Sequence, residues 1–296
     1  MLPPLPAMLD LDANRQGPTP RDASTLVVAR DARSGGGIEI FCVERQKAGF
    51  LGGAVVFPGG KLDASDLDAA WESCVTPPPA TGAPVAVDIT ALRGLAIAAC
   101  REALEEAAIL PVTGGAPTHA DLLAWRAEMA RGTGVLRTII ASRGLRLDLA
   151  SLHPLARWVT PVAEARRFDT RFFLFVSAGD TTGAHDDYET TASFWASPAD
   201  VLARYAAGAL VLAPPTHRML QVLSAARDTA DAVAIASRAC LDPICPRVVT
   251  QHDVAGDTVA IVLPGDPEHD IPVARVPGPS RYVLRNGRFW PENAPG

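Results

Sequence analysis

The amino-acid sequence predicts an α/β fold with a mixed β-sheet and a β-rich C-terminal extension. Segments with the hydrophobic pattern of strands alternate with helical segments, as in α/β proteins. The early strands are joined by short turns, which favours a mixed sheet over a purely parallel one. Residues 241–296 contain many prolines, short β-rich runs and few helix signals, which predicts the extension.

Length and composition predict a folded chain with a sizeable core. It has 296 residues, of which 48% are hydrophobic and 20% charged, so extensive disorder is not expected. We divide it into an extended N-terminal segment, a main domain and an extension, at residues 1–23, 24–232 and 233–296. The formal net charge of -6 argues against nucleic acid or an anionic membrane as partner, because both attract basic surfaces.

Several features predict a cytoplasmic protein. The five cysteines lack the spacing of a zinc site, so we expect free thiols in a reducing compartment. The N-terminus is broken by prolines and lacks the basic start of a signal peptide. No run approaches the ~20 apolar residues that a membrane-spanning helix needs.

Local patterns place the individual elements. Strand-like runs occupy 24–32, 38–45, 54–57, 155–162 and 170–179. Helical periodicity occupies 89–110, 118–132, 135–144, 197–207 and 215–230. We expect Thr90 to cap the helix at 89–110 and Pro111 to stop it. Asn286-Gly287 between two apolar runs predicts a type I′ hairpin turn.

Three glutamates share one face of the helix at 89–110. Glu102, Glu105 and Glu106 are at i, i+3 and i+4, within roughly 100° of one another. Apolar side chains take the opposite face, namely Ile97, Cys100, Leu104 and Ala108. Like charges at these spacings repel, and Mg²⁺, which prefers oxygen ligands, would relieve the repulsion. A solvated acidic face is the alternative that the helix alone leaves open.

A glycine turn, Phe57-Pro58-Gly59-Gly60, follows the strand at 54–57. Glycines allow the backbone to approach a ligand closely. A carbonyl of this turn is therefore a candidate oxygen donor to a metal. An ordinary tight turn is the alternative.

Together, the turn and the helix resemble the box of the Nudix family, G-x5-E-x7-R-E-U-x-E-E-x-G-U with U aliphatic. Gly60 takes the first glycine position and Asp66 stands where glutamate is usual. Residues 101–109 match the second half, except that Ala108 replaces glycine. Between Asp66 and Arg101 there are 34 residues, where the pattern has seven, so an insertion at 67–93 splits the box. We expect this insertion to be a surface excursion that leaves the turn and the helix in contact.

An interrupted box is typical of the Nudix branch related to the peroxisomal coenzyme A diphosphatase. The chain is similar to that branch also at 50–66, 158–175 and 209–223, so the resemblance covers roughly 24–225. It implies an α/β/α Nudix sandwich, to which the helices within 118–144 are additions.

The resemblance also implies a site for Mg²⁺ or Mn²⁺ on the box helix. By that resemblance, Glu105 and Glu106 bind the metal, Glu102 binds it or orients the attacking water, and the Gly59 carbonyl completes the shell. Arg101 holds a box carboxylate in an ion pair.

Nudix enzymes often add a carboxylate from a loop outside the box. Glu189 is the first candidate, with Asp186 and Asp187 as alternatives and Glu164 as a weaker one. A solvated acidic loop stays open for each of the loop residues.

Candidate substrate contacts are Arg45, Arg166, Arg167 and Phe168, because arginine forks bind phosphate and an aromatic ring stacks on a base. An ion pair of one arginine with Asp169 is the alternative.

Two further positions bear on these contacts. Many coenzyme A diphosphatases have R-x3-G-x3-FPGG; Gly53 and Phe57 fit its second half, but Gly49 stands at the arginine position. For His217 we expect a capping or core role.

The expected activity is hydrolysis of the diphosphate bond in a nucleoside diphosphate derivative. Coenzyme A or acyl-CoA is the first candidate, giving 3′,5′-ADP and (acyl-)4′-phosphopantetheine. The alternatives are an ADP-ribose or sugar-nucleotide diphosphatase, and a non-catalytic Nudix regulator that binds a nucleotide. The sequence leaves open whether the chain forms a homodimer.

Overall fold

The structure is a computed structural model of the chain. It describes residues 12, 15–33, 35–47, 51–79, 85–253 and 256–294. Most of the N-terminal segment, Gly49 and part of the insertion lie outside these ranges, and β-structure begins at Arg21, inside the segment expected to be extended.

A mixed eight-stranded sheet forms the centre of the molecule. Its path is β10-β3-β2-β1-β8-β7, with β4 paired to β1 and β9 to β2. The pairs β1/β8 and β3/β10 are parallel, and the others are antiparallel. The strands are β1 (Arg21–Asp31), β2 (Ile38–Arg45), β3 (Ala54–Val56), β4 (Gly59–Lys61), β7 (His153–Val159), β8 (Phe168–Val176), β9 (Thr190–Ala196) and β10 (Val211–Leu212). The separate pair β5 (Val112–Thr113) and β6 (Arg146–Leu147) is antiparallel.

Helices cover both faces of the sheet, so the expected α/β sandwich is confirmed. They are α1 (Ile89–Ala107), α2 (His119–Met129), α3 (Val135–Ser142), α4 (Pro198–Ala206), α5 (Pro214–Leu223) and α6 (Thr229–Ser237). Alternate side chains of β1 project from opposite faces of the sheet, as the two-residue period of a strand requires. Leu26 and Val28 join a first core with α1. Val27 and Ala29 join a second core with α5 and α6.

The start of α1 differs from the sequence expectation. Asp88 is its N-cap and accepts a hydrogen bond from the Ala91 N–H at 2.8 Å, so Thr90 lies inside the first turn. The helix ends at Ala107, and Ala108 is the C-cap in the left-handed conformation with φ 50°. Because that conformation reverses the chain, the helix stops before Pro111.

The single helix expected at 215–230 is wrong, because α5 ends at Leu223 and a separate helix, α6, begins at Thr229. Asp228 accepts a hydrogen bond from the Asp231 N–H at 2.7 Å, which starts a new helix. A short polar side chain that caps a helix competes with continuation of the preceding one.

The insertion is not the surface excursion expected from the sequence. It contains a 3-10 helix, Ala69–Cys74, and four of its apolar residues belong to the first core, namely Trp71, Cys74, Val75 and Val85. Residues from Ile89 onward already form α1. Its apolar side chains are therefore part of the packing beside the box helix.

The C-terminal extension is a four-stranded antiparallel sheet, as its β-rich composition predicted. Its strands are β11 (Arg247–Asp253), β12 (Gly256–Val262), β13 (Arg281–Arg285) and β14 (Arg288–Glu292). Asn286 and Gly287 have φ 52° and 74°, which confirms a turn with two positive φ angles. Helix α6 runs across the proposed boundary between residues 232 and 233.

None of the helices in the described part of the chain has the length and apolar character needed to cross a bilayer.

Candidate active site on the glutamate helix

The glycine strand β4 lies directly against the acidic face of α1. The Gly59 N–H donates a hydrogen bond to Glu106 Oε2 at 3.0 Å. A Cβ atom at Gly60 would lie 2.3 Å from Glu102 Oε1, closer than real contacts allow. Only a residue without a side chain permits this approach. The insertion therefore does not separate the two halves of the box in space.

Arg101 lies at the centre of the cluster. Its Nη1 atom is 2.9 Å from Glu102 Oε1 and 3.1 Å from Glu105 Oε2. Its Nε and Nη2 atoms donate to the two carboxylate oxygens of Asp66 at 3.1 and 3.0 Å. Nη2 also donates to the Lys61 carbonyl at 2.8 Å. Since Asp66 is fully buried by this pairing, it ties the first half of the box to the helix.

Arg45 links the helix to the loop carboxylate Glu189. Its Nη1 atom is 3.4 Å from Glu106 Oε1, and its Nη2 atom is 3.5 Å from Glu189 Oε2. The Glu189 side chain is 66% exposed. Asp186 instead accepts hydrogen bonds from the backbone N–H groups that follow it, including those of Glu189 and Thr190. Of these two loop carboxylates, the structure thus brings Glu189 to the cluster.

The two remaining candidates lie in different surroundings. Asp187 is 81% exposed and lies 3.1 Å from His185 Nε2. Glu164 is buried and accepts the Ala165 N–H at 3.0 Å, and it lines the cavity described below.

Burial makes ionisation of the cluster unfavourable. Loss of solvent, together with the nearby charge of Glu102, raises the pKa of Glu106 to about 8, although Arg45 opposes the shift. Burial and Glu102 likewise raise the pKa of Glu105 to about 7. Burial also raises the pKa of Glu102. Two arginines therefore do not fully balance the carboxylates, and a further positive charge would stabilise the ionised forms.

The donor set fits a hard divalent cation, since carboxylate oxygens are the ligands that Mg²⁺ and Mn²⁺ prefer. Among the described residues, no three His, Cys, Asp or Glu side chains already converge with the spacing of a metal centre. Arg101 and Arg45 hold the glutamates in ion pairs. The residues fit the metal by chemistry and charge.

A cavity of about 350 Å³ opens beside the cluster. Its polar wall includes Glu102, Glu189, Arg45 and the two glycines of β4. Apolar and aromatic side chains form much of the remaining wall: Leu51, Phe57, Trp158, Val159, Phe168, Phe172, Pro246 and Ile261. The carboxylates thus border a space that can hold a molecule with both a charged and an apolar part.

The expected substrate residues separate into two groups. Arg45 and Phe168 line the cavity. Arg167 donates to the carbonyls of Thr160 and Pro18 at 3.1 and 2.9 Å, and Arg166 is exposed. Neither arginine is among the residues that line the cavity.

The structure also shows the partners of Asp169 and His217. Asp169 pairs with Arg157, at 2.7 Å, and with Arg171. His217 is buried and its Nδ1 atom lies 3.2 Å from the Tyr282 hydroxyl, which confirms a core role.

Sequence reasoning anticipated one contribution to this region and missed another. Arg101 forms the ion pair expected with a box carboxylate, and Asp66 is among its partners. Pro246 and Ile261 have no local signal, since they reach the cavity only through the packing of the C-terminal sheet.

Comparison with known proteins gives consistent similarities. The family model of the NUDT19 Nudix domain matches residues 80–223. The acyl-coenzyme A diphosphatase NUDT19 of Gallus gallus is 27% identical over 77% of this chain and 71% of its own length. The Homo sapiens protein of the same name is 30% identical over 56% of this chain. This chain spans 55% of the human protein.

A solved structure is similar over most of the chain. The NUDIX hydrolase from Alicyclobacillus acidocaldarius superposes with a TM-score of 0.64 and 33% sequence identity. The match covers 73% of this chain and 96% of that one.

Proposed function

This chain belongs to the Nudix hydrolases, in the branch of the NUDT19 Nudix domain, and on that basis we propose that it hydrolyses the diphosphate bond of coenzyme A and its acyl thioesters. The products are 3′,5′-ADP and (acyl-)4′-phosphopantetheine. The relatives in chicken and human are named acyl-coenzyme A diphosphatases, which supports this substrate class.

One observation carries the proposal: the glutamate cluster borders a cavity that also has an apolar wall. A diphosphate needs charge neutralisation, and an acylated pantetheine arm needs apolar surface. Both requirements meet in one space here. Sugar nucleotides and ADP-ribose have no long apolar part to use the second wall.

Mg²⁺ or Mn²⁺ would be held by Glu102, Glu105 and Glu106, with the Gly59 carbonyl as a further donor. When bound, the metal neutralises the diphosphate and lowers the pKa of a bound water.

The chain's own residues position the reactants. Arg101 holds Glu102 and Glu105 on one side of the cluster through its ion pairs, and is a positioning residue. Glu102 is at the cavity wall and orients the attacking water. Arg45, already shared between Glu106 and Glu189, contacts a phosphate oxygen. Glu189 contributes the carboxylate from outside the box.

We also propose a cytoplasmic location, which the free state of all five cysteines supports.

The test is hydrolysis of coenzyme A with Mg²⁺ or Mn²⁺ by the wild type and by Glu106→Gln, with 3′,5′-ADP as the product measured. We expect the substitution to lower kcat by about 100-fold or more, because a metal ligand is lost. Glu128→Gln is the matched control, since Glu128 lies on α2 and pairs with Arg143; its rate should match that of the wild type.

Other outcomes would redirect the assignment. Cleavage of ADP-ribose or a sugar nucleotide, with coenzyme A untouched, would overturn the substrate class. Binding of these compounds without any cleavage would indicate a nucleotide-binding regulator.

A further inference from the structure

The strand register defines a row of residues from strand β4 to the C-terminal extension. Lys61 pairs with Ala23, Ala23 with Thr170, and Thr170 with Trp158. Trp158 forms a parallel bridge with Ile244. Four steps of about 4.8 Å between neighbouring strands give a row on the order of 19 Å long. The first four residues of this row line the cavity.

The two ends of this row differ in chemistry. At the first end, Lys61 is exposed. Its neighbour Gly60 projects from the opposite face of the sheet, where it lies against the Glu102 carboxylate. At the other end, Trp158 belongs to the second core, together with Ile244 and Ile261. Paired residues of neighbouring strands project from the same face of a sheet, so the row lies on the face that the second core covers. The cavity, which Glu102 also lines, therefore has a charged part beside β4 and an apolar part beside Trp158.

The C-terminal segment is fixed to the apolar end by main-chain hydrogen bonds. The Ile244 N–H donates to the Arg157 carbonyl at 2.8 Å, and the Val159 N–H donates to the Ile244 carbonyl at 2.9 Å. Pro246, two residues later, lines the cavity. Ile261 on β12 also lines it and is only 3% exposed.

A second attachment joins the C-terminal sheet to α5, whose first residues Pro214–Thr216 line the cavity too. Arg218 of α5 is fully buried and donates to the carbonyls of Pro277 and Pro279 at 2.8 and 2.5 Å. Its Nε atom also donates to the Tyr282 hydroxyl at 3.2 Å. The sheet is thus held on two sides of the cavity, which makes it a fixed wall.

We propose that the C-terminal sheet closes the apolar end of the substrate cavity, and that Ile261 sets the length of the acyl chain that the site accepts. This inference rests on the proposed function. The two side chains that this sheet and its leading segment contribute to the wall, Pro246 and Ile261, are apolar. They offer no partner to a nucleobase or a ribose, which would leave polar groups unsatisfied there.

An alkyl chain suits this wall. The indole ring of Trp158 lines the same wall and is almost fully buried. Ile261 then lies where the chain ends.

The test measures binding without turnover. Calorimetric titration with chelator present gives Kd for coenzyme A and for saturated acyl-CoAs from four to sixteen carbons, below the concentrations at which they form micelles. In the wild type, affinity should rise by about fourfold per methylene and then level off at the wall. In Ile261→Ala, the chain length at which affinity stops rising should increase by about two carbons, because the smaller side chain opens a space in the wall.

Leu263→Ala is the matched control. Leu263 lies two residues from Ile261, is also buried in the second core, and does not line the cavity. Its chain-length profile should equal that of the wild type. The same profile in both variants, or no gain from the acyl chain in the wild type, would overturn the inference. A different outcome separates the two proposals. If affinity depends on chain length but no acyl-CoA is cleaved when metal is added, the proposed function is wrong and this inference is still supported.

Discussion

Gly60 shows how strongly a single residue controls this site. The Glu102 carboxylate occupies the space that any side chain at position 60 would need. Glycine is therefore required here for close approach, since Gly60 is not among the residues with positive φ. The acidic face of α1 can reach the cavity only because β4 has no side chain at this point.

Gly60→Ala should lower kcat/KM for coenzyme A by at least about tenfold, because Glu102 must leave its position. Thermal unfolding should change little if only the carboxylate moves. Gly179→Ala is the control, because a Cβ atom there meets nothing within 4 Å and the residue has no positive φ. Equal activity of the two variants would show that the position of Glu102 is not needed.

The pKa shifts of Glu105 and Glu106 predict how pH and metal act together. Without metal, a carboxyl whose pKa is raised on folding stabilises the protein below its unfolded value of about 4.5. That stabilisation is lost as pH rises through about 7 for Glu105 and about 8 for Glu106. Metal binds the ionised forms, so its stabilising effect grows over the same range.

We therefore expect the increase in Tm caused by saturating Mg²⁺ to be larger at pH 8.5 than at pH 6. Differential scanning fluorimetry with and without chelator measures it. In Glu106→Gln the increase should be smaller and less dependent on pH. An increase that is the same at both pH values in the wild type would contradict the raised pKa values.

At the scale of elements, α1 depends on its first turn. Asp88 caps the helix, whereas Thr90 lies within it. The helix presents the three box glutamates more than three turns later, so fraying at its start would loosen the insertion before it loosens the cluster.

Asp88→Ala should lower the free energy of unfolding by about 1 kcal/mol, because an N–H at the helix start loses its acceptor. Thr90→Ala is the comparison, and we expect a change within about 0.5 kcal/mol. Urea denaturation of both variants measures the difference. A larger loss of unfolding free energy for Thr90→Ala than for Asp88→Ala would show that Thr90 is the helix cap, as the sequence suggested.

The whole molecule has a second core that the C-terminal sheet completes. Residues of the sheet and its leading segment belong to the same cluster as residues of β1, β2, β8 and α5, and these are Ile244, Val259, Ile261, Leu263, Tyr282, Leu284 and Phe289. The extension therefore packs on its own chain rather than standing apart as an independent unit.

Deletion of residues 241–296 should abolish cooperative unfolding, because it exposes the second core to water. The full chain should unfold in one transition, with circular dichroism and tryptophan fluorescence coinciding. A shortened chain that keeps the Tm of the full chain would show that the extension is dispensable for folding.

The sequence by itself determined the features that depend on neighbours along the chain. The shared face of Glu102, Glu105 and Glu106 follows from helical periodicity, and the hairpin at Asn286-Gly287 follows from the φ angles that these residues tolerate. The match to the Nudix box likewise depends only on the order of residues along the chain, so the fold could be predicted although an insertion interrupts the box.

Only the tertiary structure decided what depends on contacts between distant segments. These include the burial of Trp71 in the insertion, the ion pairs of Arg45 with Glu106 and Glu189, and the cavity wall at Ile261. Local patterns report which side of an element is apolar, but not which other element covers it. That choice depends on strand order and helix packing, which bring together residues that have no relation along the chain.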